Sequence, residues 1–256
     1  MKQSRLRSSI FRILPVISVV AVFVAWYFVS AHGPISQSLF PGPLTVAEEA
    51  AKYPLSQLSI DITTSMLRLI AGFTLATILG IAMGALSGAI PTVRRLLHAP
   101  FELLRPIPPL AWIAVAVIWL GLGEASKVFI IFIAAFFPVY VAAFRGVRSV
   151  DQRLVEAGQA LGVTPRGTFF RVLLPAALPD VATGLRVGWG LAFTALIGAE
   201  VIAAKSGLGY MVMNARSMGD IGIIIYGIVL IGLLGWLTDW LFQHFVMHRL
   251  LKWHFR

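Results

Sequence analysis

The chain of 256 residues contains no cysteine. That excludes a disulfide framework, a thiolate nucleophile and any cysteine metal site. Charge is also scarce: 12% of residues are charged, where soluble domains carry about 25%. Acidic residues are the rarer sign, 11 Asp and Glu against 21 Lys and Arg. No Gly-x-x-x-x-Gly-Lys-Ser/Thr loop is present, which excludes a phosphate cradle of that kind in this chain. The nearest approach, Gly121-Leu122-Gly123-Glu124-Ala125-Ser126-Lys127-Val128, lacks the second glycine before its lysine and the hydroxyl residue after it. There is no His-Glu-x-x-His and no Ser-His-Asp signal, because the 5 histidines are few and lie near apolar-run edges. A membrane-embedded enzyme needs clustered His, Asp or Glu at one membrane face, and none is visible. No internal repeat is visible either, which weakens the case for an ion-driven secondary transporter built from duplicated halves.

What is abundant is apolar sequence. Hydrophobic residues make up 58% of the chain, and the mean hydropathy is +0.86. Lipid is the solvent this composition suits, and crossing its core takes about 20 apolar residues in helix. Six stretches qualify: Ile13–Val29, Leu67–Ile90, Ile107–Leu122, Val128–Phe144, Ala182–Ala204 and Ile221–Phe242. The expectation is an all-α integral membrane protein with about six transmembrane helices in one domain, 1–256. The third stretch is short and opens on Pro108-Pro109, and the fourth contains Pro138. The first follows Lys2, Arg5, Arg7 and Arg12 but no Ala-x-Ala succeeds it, so it reads as a retained span and not a cleaved signal. Between the first two stretches, Pro34, Pro41, Pro43 and Pro54 interrupt any long helix, leaving Thr45–Lys52 as a short amphipathic helix on the outer surface.

Net charge is +10. In a soluble chain that would suggest nucleic acid, but here the positions of the charges explain it. With six spans and the N-terminus inside, the internal segments collect the basic ends, Arg94, Arg95 and the run Arg145, Arg148, Arg153, Arg166 and Arg171. External loops keep Lys52, Lys127, Lys205 and Arg216. The asymmetry obeys the positive-inside rule with both termini cytoplasmic, in contact with lipid and with no nucleic acid.

Residues 145–180 are too charged for lipid, yet patterned. Asp151 is placed to cap a helix. Leu154, Val155, Ala157, Ala160 and Leu161 give one apolar face, and Gly162 stops it. Thr164-Pro165 opens a second short helix, and Pro175 and Pro179 break the chain before the fifth span.

The string Glu156-Ala157-Gly158, three residues, Gly162, nine residues, Val172-x-Leu174-Pro175 resembles the EAA loop of bacterial binding-protein-dependent ABC importers. The family pattern is Glu-Ala-Ala, three residues, Gly, nine residues, Ile-x-Leu-Pro. Gly158 and Val172 are the two departures, one small residue and one conservative change. Over residues 60–250 the chain looks like the nitrate/sulfonate/taurine permeases, through Leu103-Leu104-Arg105-Pro106-Ile107-Pro108-Pro109-Leu110-Ala111-Trp112, the Gly121–Lys127 string, Gly184-Leu185-Arg186, Ala199-Glu200 and Ser206-Gly207-Leu208-Gly209-Tyr210.

The resemblance implies a type I ABC importer permease fold in the bacterial inner membrane. It implies that Glu156, Ala157, Gly158, Gly162, Val172, Leu174 and Pro175 form a coupling loop for two separate ATP-binding subunits. ATP and Mg would be held there, with no catalytic residue, cofactor or metal in this chain. A second permease copy and an external solute-binding protein complete the expected assembly, and access would alternate across the membrane.

Glu200, Trp112 and Arg105 are the candidate pathway residues. An acid within a span is a functional candidate by default, and an interhelical role for Glu200 stands equally open. Arg105 reads first as an anchor at the inner interface. Arg186 and Glu200 are too far apart along one helix to pair. Asp239 lies close to His244, and His244 and His248 read as interfacial anchors rather than metal ligands. Gly80, Gly84 and Gly88, with Gly184 and Gly188, permit close helix contact, either inside the bundle or between copies.

Overall fold

The structure, a computed structural model, describes residues 2–247. The side chains of Lys2, Arg5, Arg7 and Arg12, and His248, Arg249, Lys252 and Arg256 altogether, lie outside the described residues. Every described element is helical. In order they are α1 (Lys2–His32), α2 (Pro43–Lys52), α3 (Leu55–Ala89), α4 (Pro91–Leu104), a 3-10 turn (Pro109–Trp112), α5 (Ile113–Leu120), α6 (Glu124–Arg148), α7 (Gln152–Ala160) and α8 (Pro165–Thr168). A π-helical turn (Phe169–Leu173), α9 (Leu174–Ala176), α10 (Leu178–Ala203), α11 (Leu208–Met218) and α12 (Ile221–Phe242) follow, with a last π turn at Gln243–Met247.

Local chemistry sets many of the ends. Pro43, Pro91 and Pro165 each open a helix, where the missing N–H would be unpaired anyway. Glu124 occupies the first turn of α6 and Arg145 and Arg148 its last, both matched to the helix dipole. The expected short helix before Lys52 is present as α2.

Four described helices are long and apolar enough to cross a membrane: Leu55–Ala89, Glu124–Arg148, Leu178–Ala203 and Ile221–Phe245. They match the second, fourth, fifth and sixth expected stretches. The first stretch lies within α1, whose apolar part among the described side chains is Ile17–His32. The third stretch departs from expectation. Pro91–Leu104 and Pro109–Leu120 form a pair bent by 89°, a broken span or re-entrant turn. Pro106, Pro108 and Pro109 remove three backbone donors there, and α5 has only 8 residues, about 12 Å of rise. The expected break at Pro175 and Pro179 is also softer than a break. The chain stays helical through the π turn, and only Ala177 falls outside a helix before α10.

The chain forms two compact units. The first comprises Met1–Leu58 with Met211–Leu230. In it Trp26 Nε1 donates to Pro41 O at 3.1 Å and Ser30 Oγ to Phe40 O at 2.9 Å, tying α1 to the segment before α2.

The second unit comprises Ser59–Tyr210 with Ile231–Arg256. Its centre is α6, held between α3 and α10. Glycines make the approach possible. A Cβ on Gly80 would lie 2.9 Å from Val139 Cγ1, and one on Gly88 2.8 Å from Val147 Cβ. On the other side, Gly188 faces Val139 and the carbonyl of Ala135, and Gly184 faces Ala142 and the carbonyl of Pro138. These glycines therefore serve packing within the chain, the small-residue contact that brings helices together where no water drives burial. The core is Leu69, Phe73, Ala76, Ile131, Ala135, Val139, Leu185, Ala192 and Leu196, with Trp189 and Phe242 stacked 5.1 Å apart at its edge.

Candidate functional site

The segment between α6 and α10 is specified by local signals. Asp151 Oδ1 accepts from the Arg153 N–H at 2.9 Å and caps α7. The other end closes as a Schellman motif: the Val163 N–H donates to Gly158 O at 3.0 Å and the Gly162 N–H to Gln159 O at 2.9 Å. That closure requires a left-handed residue, and Gly162 has φ of 77°. Thr164 Oγ1 then accepts from the Gly167 N–H at 3.2 Å, starting α8 at Pro165.

The expected coupling residues divide by environment. Gly158 is buried, and a Cβ there would touch Val172 Cγ2 at 3.5 Å, so α7 lies on the π turn at this pair. Leu174 packs with Leu173 and Phe169 on Ala85, Val147 and Ala177, which anchors the segment at the base of α3 and α6. Pro175 is half-buried beside it, while Glu156, Ala157 and Gly162 are exposed. Glu156 forms no ion pair among the described residues, including with Arg153. Three large apolar side chains remain uncovered: Leu154 at 53%, Leu161 at 84% and Phe170 at 64% exposure. Their neighbours Arg153, Arg166 and Arg171 keep this surface out of lipid.

A second constellation sits at the opposite ends of α6 and α10, and sequence reasoning found only part of it. Arg68 of α3 is buried at its centre. It donates from Nη1 to Glu200 Oε1 at 2.8 Å and to Ser206 O at 2.7 Å, and from Nη2 to Glu124 Oε1 at 2.7 Å. Its Nε also donates to Glu124. Glu200 is 0% exposed, and its carboxylate accepts further bonds from Ser65 Oγ at 2.7 Å and the Gly209 N–H at 3.0 Å. Asp61 accepts from the Gly207 N–H at 2.8 Å, and Ser65 Oγ from the Leu208 N–H at 3.0 Å. Lys127, expected in an exposed external loop, is buried and donates to Glu124, Leu122 O and Gly123 O. The near-miss phosphate loop thus spends its ammonium on its own turn.

The buried charges are all paired, Arg68 with buried Glu200 and both Arg68 and Lys127 with Glu124 at the surface, as burial demands. Four separate stretches meet at one guanidinium, and three of them are strings that carry the family resemblance: Gly121–Lys127, Ala199-Glu200 and Ser206–Gly209. Asp61, Ser65 and Arg68 carry no site assignment in the sequence reading, and Glu124 and Ser206 enter it only as members of the resembling strings. The available signal was Arg68 itself, a charge inside a long apolar run.

Arg105 and Trp112 lie elsewhere. Trp112, half-buried in the 3-10 turn, packs on the cluster of Ile113, Ala116, Ile130 and Ala195. Arg105 is half-exposed, 4.0 Å from Glu102, and lines a cavity of about 570 Å³ between α6, α10 and the proline turn. Arg186 approaches Asp239 at 4.0 Å, and Asp239 accepts from Gln243 Nε2 at 2.6 Å. His244 stacks on Trp240 at 5.5 Å. Among the described residues no group of three or more His, Asp or Glu is placed to hold a metal ion.

The family model described as the binding-protein-dependent transport system inner membrane component matches residues 76–248. The taurine transport system permease protein TauC of Escherichia coli is 36% identical over 243 residues, covering 93% of this chain and 88% of TauC. The aliphatic sulfonates transport permease protein SsuC of Bacillus subtilis, named as putative, is 34% identical over 235 residues, 91% of this chain and 85% of its own. The nitrate import permease protein NrtB of Synechocystis is 33% identical over 240 residues, 89% of this chain and 85% of its own. In fold, the chain is similar to one in an inward-facing structure of the MetNI methionine ABC transporter, with a TM-score of 0.60 and 19% identity over 72% of this chain and 92% of that one.

Proposed function

Because this chain belongs to the binding-protein-dependent transport system inner membrane components, we propose that it is the permease subunit of an ATP-driven importer for a small anionic solute of the sulfonate, taurine or nitrate kind. The relatives' names supply the solute class. The observation that carries the coupling is the uncovered apolar surface of Leu154, Leu161 and Phe170 on a segment that arginines keep out of lipid. An exposed apolar patch rimmed by charge marks a protein contact.

Its occupant is the cleft of an ATP-binding subunit. Glu156, Ala157, Gly158 and Gly162 form the docking helix and its stop, and Val172, Leu174 and Pro175 tie that helix to the base of the spans. Two such subunits hold ATP and Mg and carry out hydrolysis, and this chain contributes no catalytic group. Their closure draws the projections of two permease copies together and switches α3, α6 and α10 between outward and inward access. A solute-binding protein delivers the solute from outside. Both termini and residues 149–177 face the cytosol, the side on which the basic residues gather.

The test is co-purification with the candidate ATP-binding subunit and an ATPase assay. Wild type recruits the subunit. Glu156→Lys, still inserted in the membrane, loses recruitment or solute-stimulated hydrolysis. Transport that follows a proton or sodium gradient with no ATPase bound would sink the reading.

A further inference from the structure

The cavity between α6, α10 and the proline turn ends below one leucine. Its lining runs on α6 from Arg145 to Ile133 and on α10 from Asp180 to Leu191. Arg145 and Asp180 are exposed and mark the end from which residues 149–177 project. Beyond Leu191 and Pro109, at the other end, stands Leu110 of the 3-10 turn. A Cβ on Gly198 would lie 2.5 Å from Leu110 Cδ2 and 3.3 Å from its Cγ, so the leucine fills the notch that the missing side chain leaves. Gly198 lies about 10 Å beyond Leu191 at 1.5 Å per residue of α10, just short of buried Glu200. Past this contact, the space between α5, α6 and α10 is filled by Ile113, Ala116, Ile130, Ala134, Ala195 and Ala199.

The cavity is wet for a backbone reason. Ile107 and Pro109 line it together with Ile133, Phe137 and Pro138, which lie near the middle of α6. The turn makes two backbone bonds, Ile107 N–H to Leu104 O at 3.1 Å and Ala111 N–H to Pro108 O at 2.9 Å. They leave the carbonyls of Arg105, Pro106 and Ile107 without a backbone donor. Irregular backbone at membrane depth persists only where protein or water covers it. Residues 105–108 are exposed in this chain, and the end at Arg145 and Asp180 admits water to them.

Leu110 is also placed to move. No helical ladder joins α4 to α5 across Pro106, Pro108 and Pro109. The α3, α6 and α10 helices interlock through notches and branched residues, with Gly80 and Gly188 both on Val139. By contrast α5 rests on α10 beside the alanines Ala195 and Ala199. Lifting Leu110 off Gly198 therefore leaves the interlocked helices undisturbed, as a hinge requires.

We propose that Leu110 is the outer seal of the solute path. Seated on Gly198, it shuts the wet groove off from the outside. The path opens outward when the proline turn carries Leu110 and α5 away from α10. This role rests on the importer reading above and gives its alternating access a named contact.

The chain has no cysteine, so one introduced pair can be read without background. In Leu110→Cys with Gly198→Cys, one sulfur takes the place of Leu110 Cγ, 3.3 Å from the Cβ at 198 and within reach of a disulfide. The test is ATP-driven uptake by the complete importer in liposomes, with taurine, ethanesulfonate and nitrate as probes. Oxidation is expected to bridge the pair, seen as loss of both free thiols, and to stop uptake; dithiothreitol restores it. That reversal separates a locked seal from loss of folded protein. Leu110→Ala removes the seal without a bridge, and it is expected to pass a preloaded probe outward without ATP, where wild type retains it. Unchanged uptake by the bridged pair overturns the seal and leaves the importer reading intact. Failure of the pair to bridge, or a Leu110→Ala protein that retains the probe as wild type does, has the same consequence. Failure of wild type to take up any probe with ATP sinks the importer reading and the seal together.

Discussion

Arg68 and Glu200 stand 132 positions apart in the chain and 2.8 Å apart in the fold, both buried. Each is a principal partner of the other's charge, with Glu124 and Ser206 completing the shell of Arg68 and Ser65 and Gly209 that of Glu200. Glu200→Ala leaves a buried guanidinium with Glu124 as its remaining carboxylate partner. Removing one member of such a pair costs about 3–5 kcal/mol, whereas replacing both by apolar residues of similar volume is far milder. Glu200→Ala is therefore expected to lower the unfolding midpoint of the purified protein sharply, and Arg68→Met with Glu200→Leu to recover most of it. Equal damage in the single and double variants would show that the pair is not coupled.

Gly207 closes the same constellation from the loop before α11. Its φ is 114°, and a Cβ would collide with the Glu200 carboxylate and approach Arg68 Nη1 at 2.8 Å. Gly207→Ala is expected to disrupt the ion pair as well as strain the backbone, with a loss of about 1–3 kcal/mol from strain alone. Thermal unfolding in detergent measures it, and a midpoint like that of wild type would show that the loop can shift freely.

Packing around α6 makes a paired prediction on one helix. Gly184→Val places a branched side chain against Ala142 and the Pro138 carbonyl, and overpacking of this kind costs about 1–3 kcal/mol. Gly190→Ala on the same helix meets nothing within 4 Å, and it is expected to be neutral. Comparable midpoints for the two variants would contradict the close α6–α10 approach.

The projection has its own local stability. Gly162→Ala forces an L-residue into the left-handed region at about 1–2 kcal/mol. Asp151→Ala removes the cap at the other end of α7 for about 1 kcal/mol. Both are expected to speed amide hydrogen exchange within Gln152–Ala160 while leaving exchange in α6 unchanged. Faster exchange in both helices would mean that α7 and the bundle unfold as one unit.

The projection was legible because its signals are short-range. Asp151 and Thr164 cap helices within three residues of themselves, and Gly162 stops α7 through bonds to Gly158 and Gln159. The spans were legible by length where the chain is uninterrupted, as in α6 and α12. They were less so around Pro106–Pro109, where one apolar run conceals an 89° bend. Two helices went unread. In α4, Arg94, Arg95, His98 and Glu102 resemble a solvated loop, although Phe101 seats the helix on Tyr140 with ring centroids 4.7 Å apart. In α11, no long apolar run marks Leu208–Met218.

Composition determined that this chain lives in lipid, and the length of its apolar runs that it crosses as helix, the structure that satisfies a dry backbone within each segment. Local spacing alone determined where the bundle sends a capped, stopped helix into water. Only the tertiary structure decided that Lys127 is buried, that the glycine rows of α3 and α10 serve α6, and that Arg68 is claimed by Glu124, Glu200 and Ser206. The helix contacts and the Arg68 bonds join positions far apart in the chain, and they bury Lys127 although its own hydrogen bonds are local. No local propensity encodes such a meeting; it exists only once packing has brought α3, α6 and α10 together and set the buried Arg68 against the carboxylates of Glu200 and Glu124.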